Sequence, residues 1–295
     1  MTTPPSKTLI LGLLADLPLE KAKPFFLSLE KAGYRGDVCL VTGGLDAATQ
    51  AFVRARAFRV NMVPFQKPYL HPFWVRLASG IGCFLSRRRR RLFEDQLALS
   101  CLHPHCARHF HYHSYLENCG GDYGRVMLTD IRDVLFQRDP FDFAQPDGLG
   151  VFLEDIHWKI RECGHTANQI KRAFGRATLR RMLGKRVICA GTTLGTADAV
   201  REHLARVTQL LCGRTERKTI DQGLHNYLIH HDPPAKLTCF ENFSGPVLSM
   251  ARMDMAQVRF DAAGRILNTD GDAINTLHQY DRHPELAARL LRDLT

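Results

Sequence analysis

The chain has 295 residues, 45% of them hydrophobic, and a formal net charge of +10. That length makes one large domain or two small ones, with the hydrophobic content of a globular protein that buries a sizeable core. The positive balance suits anionic partners such as nucleotides, phospholipid surfaces or nucleic acid; nine cysteines, an odd number with no C-x-x-C, exclude a disulfide framework and point to free thiols in a reducing compartment.

After a polar, proline-containing tail over 1–6, Thr8 to Ala15 (TLILGLLA) has the composition of a signal-peptide core. The run is short and meets Asp16 at once, so it reads as the first buried strand, over 8–14. A helix follows through LEKAKPFFLSLEKAG, ended by Gly33, and then a second strand over 37–42 closed by Gly43-Gly44. A second helix over 46–57 leads to a third strand near Arg59 to Phe65. This β-α-β-α-β opening predicts a parallel sheet covered by helices.

Residues 66–92 interrupt the rhythm with Pro68, Pro72, Gly80 and Gly82, and end in five arginines, Arg87 to Arg91. Three readings are open. The plainest is a surface loop with a solvated charge run. A second is a peripheral membrane foot, with Phe73, Trp74 and Phe84 entering the interface and the arginines meeting anionic headgroups. Nucleic-acid binding has least support, since nothing resembles a reading helix or an aromatic platform. No apolar run reaches the roughly 18 residues that would span a bilayer. The expected location is therefore cytoplasmic, with contact at the inner face of a membrane as an option.

Residues 93–118 are predicted to be mostly helical, broken near Pro104. They carry Cys101, His103, His105, Cys106, His109, His111 and His113, a set that invites a zinc site. Alternating histidines on a helix point in different directions, so structural or surface histidines are the expectation.

Val126 to Thr129 reads as a buried strand, and at its end stand Asp130 and Asp133 with Arg132 between them, before Asp139-Pro140. Ligands of open α/β sheets bind beyond the carboxyl ends of strands. Carboxylates there suit Mg²⁺ or Mn²⁺ bridging to substrate phosphates, although acids at strand ends are also ordinary turn residues. Downstream, Leu149 to Glu154 predicts a strand, followed by a helical segment with Trp158, Asn168 and Gln169. Arg186 to Thr192 predicts a strand ending in Gly191, and 197–212 an amphipathic helix. Thr219 to His230 predicts a helix capped by Thr219, with Asp221 and Gln222 in its first turn. Residues 246–282 read as strand and turn, with Ala273 to Leu277 a strand just before His278, and 284–294 as a last helix. No repeat or linker divides the chain. The expectation is a single domain, with a nucleotide-binding half over 7–145 and a sugar and acceptor half over 146–295.

Four segments in order, TDIRDVLFQRDPF, ICAGTTLG, DQGLHN and LHQYD, resemble the landmarks of GT-A-fold glycosyltransferases, nearest to the glycogenin and lipopolysaccharide galactosyltransferase group, family 8. The resemblance covers about 105–282. It implies a GT-A-type, Rossmann-like α/β fold with a mostly parallel sheet, and Mn²⁺ or Mg²⁺ as cofactor. It implies a nucleotide-diphospho-sugar donor, most often a UDP-sugar, an acceptor glycan, lipid or protein, and retention of configuration. Asp133 resembles the second acid of the metal motif. The first acid would fall at Ile131, and Asp130 substitutes for it. His278 resembles the third metal ligand. Cys189-Ala190-Gly191 stands where the family has Asn-Ala-Gly, with Gly191 at the donor. Asp221 and Gln222 resemble the catalytic pair beneath the transferred sugar, and Arg108 a basic residue at the donor phosphates. Rival classes are a metal-dependent nucleotidyltransferase, which would release pyrophosphate, and a non-catalytic basic peripheral membrane protein whose acid pair is structural. Nucleic acid is not an expected partner.

Overall fold

The computed structural model describes residues 7–65, 102–214 and 217–294. The arginine run and the rest of 66–101 lie outside the described residues. Ten strands and seven α-helices are numbered below in chain order among the described residues.

The opening unit is β1 (Thr8–Ala15), α1 (Leu19–Lys31), β2 (Asp37–Gly43), α2 (Ala47–Arg54) and β3 (Arg59–Pro64). Leu9 and Leu11 of β1 pack into one core, Ile10 and Leu14 into another, so the strand is buried on both faces and reads as a continuous apolar run. Phe25, Phe26 and Leu29 bring α1 onto the second of these cores. Gly33 takes φ +78° just past the end of α1, the left-handed conformation that lets a chain leave a helix cheaply. Asp46 caps α2 by accepting the Thr49 N–H at 2.6 Å.

Then come α3 (Pro104–Cys119), β4 (Arg125–Thr129), β5 (Val134–Phe136), β6 (Leu149–Leu153), α4 (Gly164–Met182), β7 (Ile188–Thr196), α5 (Ala197–Leu211) and α6 (Asp221–His231). The chain ends with β8 (Leu237–Phe240), β9 (Val247–Ser249), β10 (Thr276–His278) and α7 (Pro284–Leu291). α4 is broken at Gly175, whose φ of +83° is non-helical. Helices α3, α5 and α6 cover the face of the sheet opposite α1 through Tyr112, Leu116, Val200, Leu204 and Ile229.

Seven strands form one sheet in the order β3-β2-β1-β4-β7-β6-β8. β7 runs antiparallel to both neighbours, β4 and β6, while the other pairings are parallel. This is the mostly parallel, helix-covered α/β sheet that was expected, with one reversed strand. A smaller sheet, β5-β10-β9, is held to α7 by a core of Leu135, Leu248, Leu277 and Leu286.

Several boundaries differ from expectation for physical reasons. β7 continues to Thr196, so Gly191 lies inside the strand, because Gly195 and Leu194 still pair with both neighbours. Thr219 does not cap α6: Ile220 occupies the cap position, and the Thr219 hydroxyl turns to Asp221 Oδ1 at 2.5 Å. The last sheet strand covers Thr276–His278, so His278 is part of the strand it was expected to follow. α7 stops at Leu291 and tightens into a short 3-10 turn over Arg292–Leu294.

Candidate active site

Because β7 is reversed, its first residues reach the same sheet edge as the carboxyl ends of β4 and β6. Asp130 follows β4 there, and its N–H bonds the Gly191 carbonyl at 2.9 Å, tying the two strand ends together. Ile131 turns away into the core, 2% exposed, where its side chain fills the space a Cβ on Gly12 would need. Asp130, the residue before it, is the acid that reaches this edge together with Asp133.

Asp133 comes just before β5 and is buried. Across the small sheet, Leu277 pairs with Leu135 and His278 with Val134, which sets the imidazole beside the acid. Gln279 then adopts φ +61°, a left-handed conformation costing a non-glycine residue about 1–2 kcal/mol, and its N–H bonds the Asp133 carbonyl at 2.7 Å. His278 Nε2 consequently lies 3.6 Å from Asp130 Oδ2 and 3.6 Å from Asp133 Oδ1. Among the described residues, Asp130, Asp133 and His278 form the group whose ligand atoms lie within 4.8 Å of one another and could hold a metal ion. Among the described residues, the histidines from His103 to His113 do not gather in this way; His109 is buried and His103 pairs rings with His105 at 5.3 Å.

The charged groups at this point shift one another's protonation. Burial opposes the charge on Asp130, but the Arg108 guanidinium and His278 outweigh it and hold the carboxyl well below the usual range. Asp133 is pushed upward, first by burial and then by the charges of Asp130 and Asp281, with His278 working against them. Burial alone would lower His278; Cys189, Asp130 and Asp133 raise it well above the ordinary imidazole value. His278 Nε2 is buried with no hydrogen-bond partner. A Cβ built on Gly191 would lie 2.5 Å from that nitrogen and 2.7 Å from Asp130 Oδ2, so a glycine keeps the space between them open. Two carboxylate oxygens and an imidazole nitrogen are a donor set suited to Mn²⁺ or Mg²⁺. The residues present fit such an ion.

Arg108, from the buried face of α3, bonds Asp130 with one guanidinium nitrogen and approaches Asp221 Oδ2 at 3.4 Å with another. Burial disfavours its charge, yet Asp130 and other anionic neighbours raise its pKa further. Asp221, at the first turn of α6, shares Arg108 with Asp130 and also faces His105 Nδ1 at 4.0 Å. Gln222, next to Asp221, turns its amide to the start of β7. Its Oε1 accepts the Ala190 N–H at 2.8 Å and its Nε2 donates to the Ile188 carbonyl at 2.9 Å. One lone pair and one N–H of the amide remain, and the side chain still lines the cavity.

These groups share one cavity of about 680 Å³, lined among others by Arg108, Asp130, Asp133, Glu154, Asp221 and His278. Two of its features have no counterpart among the residues singled out from the sequence. Glu154, beyond β6, is pushed up to about 7 by burial, against the pull of His278 and Arg252, so it exchanges a proton near neutrality. It obeys the same strand-end rule as Asp130, which could have found it. Arg252 lies over the Trp158 ring at 4.6 Å, a contact between distant loops without a sequence signal. Asn226, four residues after Gln222, accepts the Ile188 N–H at 2.9 Å and donates to the Ile188 carbonyl at 2.8 Å.

No protein-family model matches the chain, and no curated protein matches it in sequence. Solved structures similar to it include glycosyltransferases. Core-mannan synthase A from Aspergillus fumigatus, in a Mn/GDP form, has a TM-score of 0.44 and 12% identity over 81% of this chain and 74% of that one. The galactosyltransferase LgtC, in complex with donor and acceptor sugar analogues, has a TM-score of 0.45 and 14% identity over 96% and 95%. An active-site mutant of LgtC has a TM-score of 0.44 and 14% identity over 95% of each chain.

Proposed function

We propose that the chain is a divalent-metal-dependent glycosyltransferase that moves a hexose from a nucleoside-diphospho-sugar, most suitably a UDP-sugar, to an acceptor glycan, lipid or protein. The observation that carries this reading is the convergence of Asp130, Asp133 and His278 on one point, with Arg108 linking Asp130 to Asp221 in the same cavity.

Asp130, Asp133 and His278 would hold Mn²⁺ or Mg²⁺. When bound, such an ion is a Lewis acid for the diphosphate oxygens. Breaking a sugar–diphosphate bond leaves negative charge on the diphosphate and positive charge at the anomeric carbon. Arg108 is placed to donate charge-assisted hydrogen bonds toward the leaving group while it anchors Asp130. Asp221, fixed by Arg108 and the Thr219 hydroxyl, presents a carboxylate to the developing positive centre. Gln222 and Asn226 fix the start of β7, and with it Gly191. Retention without a covalent sugar–enzyme intermediate is part of the proposal, as is a cytoplasmic location. A peripheral contact of Arg87 to Arg91 with an anionic membrane extends it from the sequence alone. No helix among the described residues is long and apolar enough to cross a membrane.

A thermal-shift panel of nucleotide-sugars with and without Mn²⁺ tests the reading, because a ligand of the native state raises its melting temperature. The expected result is a rise with a nucleotide-sugar that depends on Mn²⁺. No shift with any nucleotide-sugar, or a shift with nucleoside triphosphates alone, contradicts it.

A further inference from the structure

His278 uses one ring nitrogen toward the two acids. The other, Nδ1, lies 3.1 Å from the Cys189 sulfur, a contact between groups that are each 2% exposed. Metal-bound histidines commonly donate this second N–H to a carboxylate, a backbone carbonyl or water, and that partner fixes both tautomer and ring orientation. Here the partner is a thiol.

We infer that Cys189 is the positioning residue of the ion site: its sulfur accepts the Nδ1–H of His278 and keeps the Nε2 lone pair directed between Asp130 and Asp133. This rests on the reading of those three residues as an ion site.

The thiol is itself held in place. The residues on either side of Cys189 are clamped by α6: Gln222 takes the Ala190 N–H and the Ile188 carbonyl, and Asn226 takes both backbone groups of Ile188. Two residues on, the Gly191 carbonyl accepts the Asp130 N–H at 2.9 Å. The backbone that carries the sulfur is thus tied to one of the acids the imidazole must face. His278 is fixed independently, since its own carbonyl accepts the Met250 N–H at 2.9 Å. With both backbones pinned, the Sγ–Nδ1 contact sets the remaining freedom, rotation of the ring. A ring turned by half a revolution about Cβ–Cγ would put Cε1–H where Nε2 stands and leave no lone pair between the carboxylates. A thiol is a weak acceptor, so this arrangement depends on the clamp more than a carboxylate partner would.

The test measures Mn²⁺ binding by electron paramagnetic resonance of the free ion, for the wild type, Cys189→Ala and Cys189→Ser. It is paired with long-range ¹H–¹⁵N spectra of the Mg²⁺ forms, which report the His278 tautomer. Cys189→Ala is expected to raise the Mn²⁺ Kd about 10- to 100-fold and to lose the single Nδ1–H tautomer, with its thermal melt still cooperative. Cys189→Ser, which keeps an acceptor at the same position, is expected to recover most of the affinity and the tautomer. If Cys189→Ala is too poorly folded to measure, Cys189→Ser decides: wild-type tautomer with near wild-type affinity supports the assignment, and loss of both overturns it. Equal Mn²⁺ binding and an unchanged tautomer in Cys189→Ala overturn the role of Cys189 alone. No Mn²⁺ binding by the wild type removes the ion site on which the inference stands.

Discussion

Gly191→Ala adds one methyl group at the point where the donor set converges. Gly191 does not have a positive φ, so alanine meets no backbone penalty there and the effect is one of space. The added Cβ would stand 2.5 Å from His278 Nε2 and 2.7 Å from Asp130 Oδ2, where ordinary van der Waals contact begins at 3.4 Å. The imidazole, whose Cε1 would lie 2.4 Å from the added Cβ, would have to retreat by 3.4 − 2.4 = 1.0 Å and the carboxylate by 3.4 − 2.7 = 0.7 Å. Metal–ligand distances tolerate only about ±0.2 Å, so both ligands leave coordination range together. The expected loss in Mn²⁺ affinity is about 100-fold or more, about 2.7 kcal/mol. Free Mn²⁺ is followed by electron paramagnetic resonance, with circular dichroism and a thermal melt to show that the fold persists. Mn²⁺ binding within twofold of wild type in a folded Gly191→Ala would refute the placement of the ion between these residues.

The other predictions address neighbouring parts of the site and the core. Asp221→Asn should lower kcat about 100-fold with donor affinity nearly kept, because it removes charge that matters most in the transition state; steady-state kinetics with calorimetry of donor binding checks this, and lost donor affinity with unchanged kcat would count against it. Arg108→Met leaves Asp130 and Asp221 without their shared cation and should destabilise the fold by about 3–5 kcal/mol in urea unfolding, whereas unchanged stability would mean the bridge contributes nothing. Buried His203 has its pKa lowered from 6.5 to about 4, mainly by burial and then by Arg206. Above pH 6.5 neither state binds the proton; between 6.5 and about 4 only the unfolded state does, so stability falls as pH falls, by about 3 kcal/mol at about 1.4 kcal/mol per pH unit. Urea titrations at pH 7.5 and 4.5 should show that loss, and His203→Leu should reduce it; the same pH slope in both proteins would refute the assignment.

Much of the site was legible because its residues obey local rules. Asp130 and Asp133 follow an apolar β-forming run, and Asp221 opens a helix, patterns that span a few residues each. The long strands and helices of the first unit were legible for the same reason, since their periodicity is sustained. Strands β5, β9 and β10 are three residues each, too short for a period to show, and they exist because they pair with one another. The reversal of β7 was equally invisible, since strand direction is fixed by how α4 returns the chain and not by the strand's own residues. That reversal is what brings Cys189 and Gly191 to Asp130 and His278. Contacts such as Cys189 with His278, 89 residues apart, have no local signature. Ile131 shows a subtler limit: its apolar character is explained by packing against Gly12, which only the folded sheet brings beside it.

The central claim is that Asp130, Asp133 and His278 hold an ion that serves cleavage of a nucleotide-sugar. It is tested most directly by ³¹P NMR of the nucleotide products, with nucleotide-sugars and nucleoside triphosphates offered in parallel to the wild type and His278→Ala in the presence of Mn²⁺. The account predicts that the wild type consumes a nucleotide-sugar and releases nucleoside diphosphate, that Mn²⁺ is required, and that His278→Ala needs several-fold more Mn²⁺ for half its activity. Release of pyrophosphate from a nucleoside triphosphate, or nucleoside diphosphate release by His278→Ala with the wild-type Mn²⁺ dependence, would contradict it.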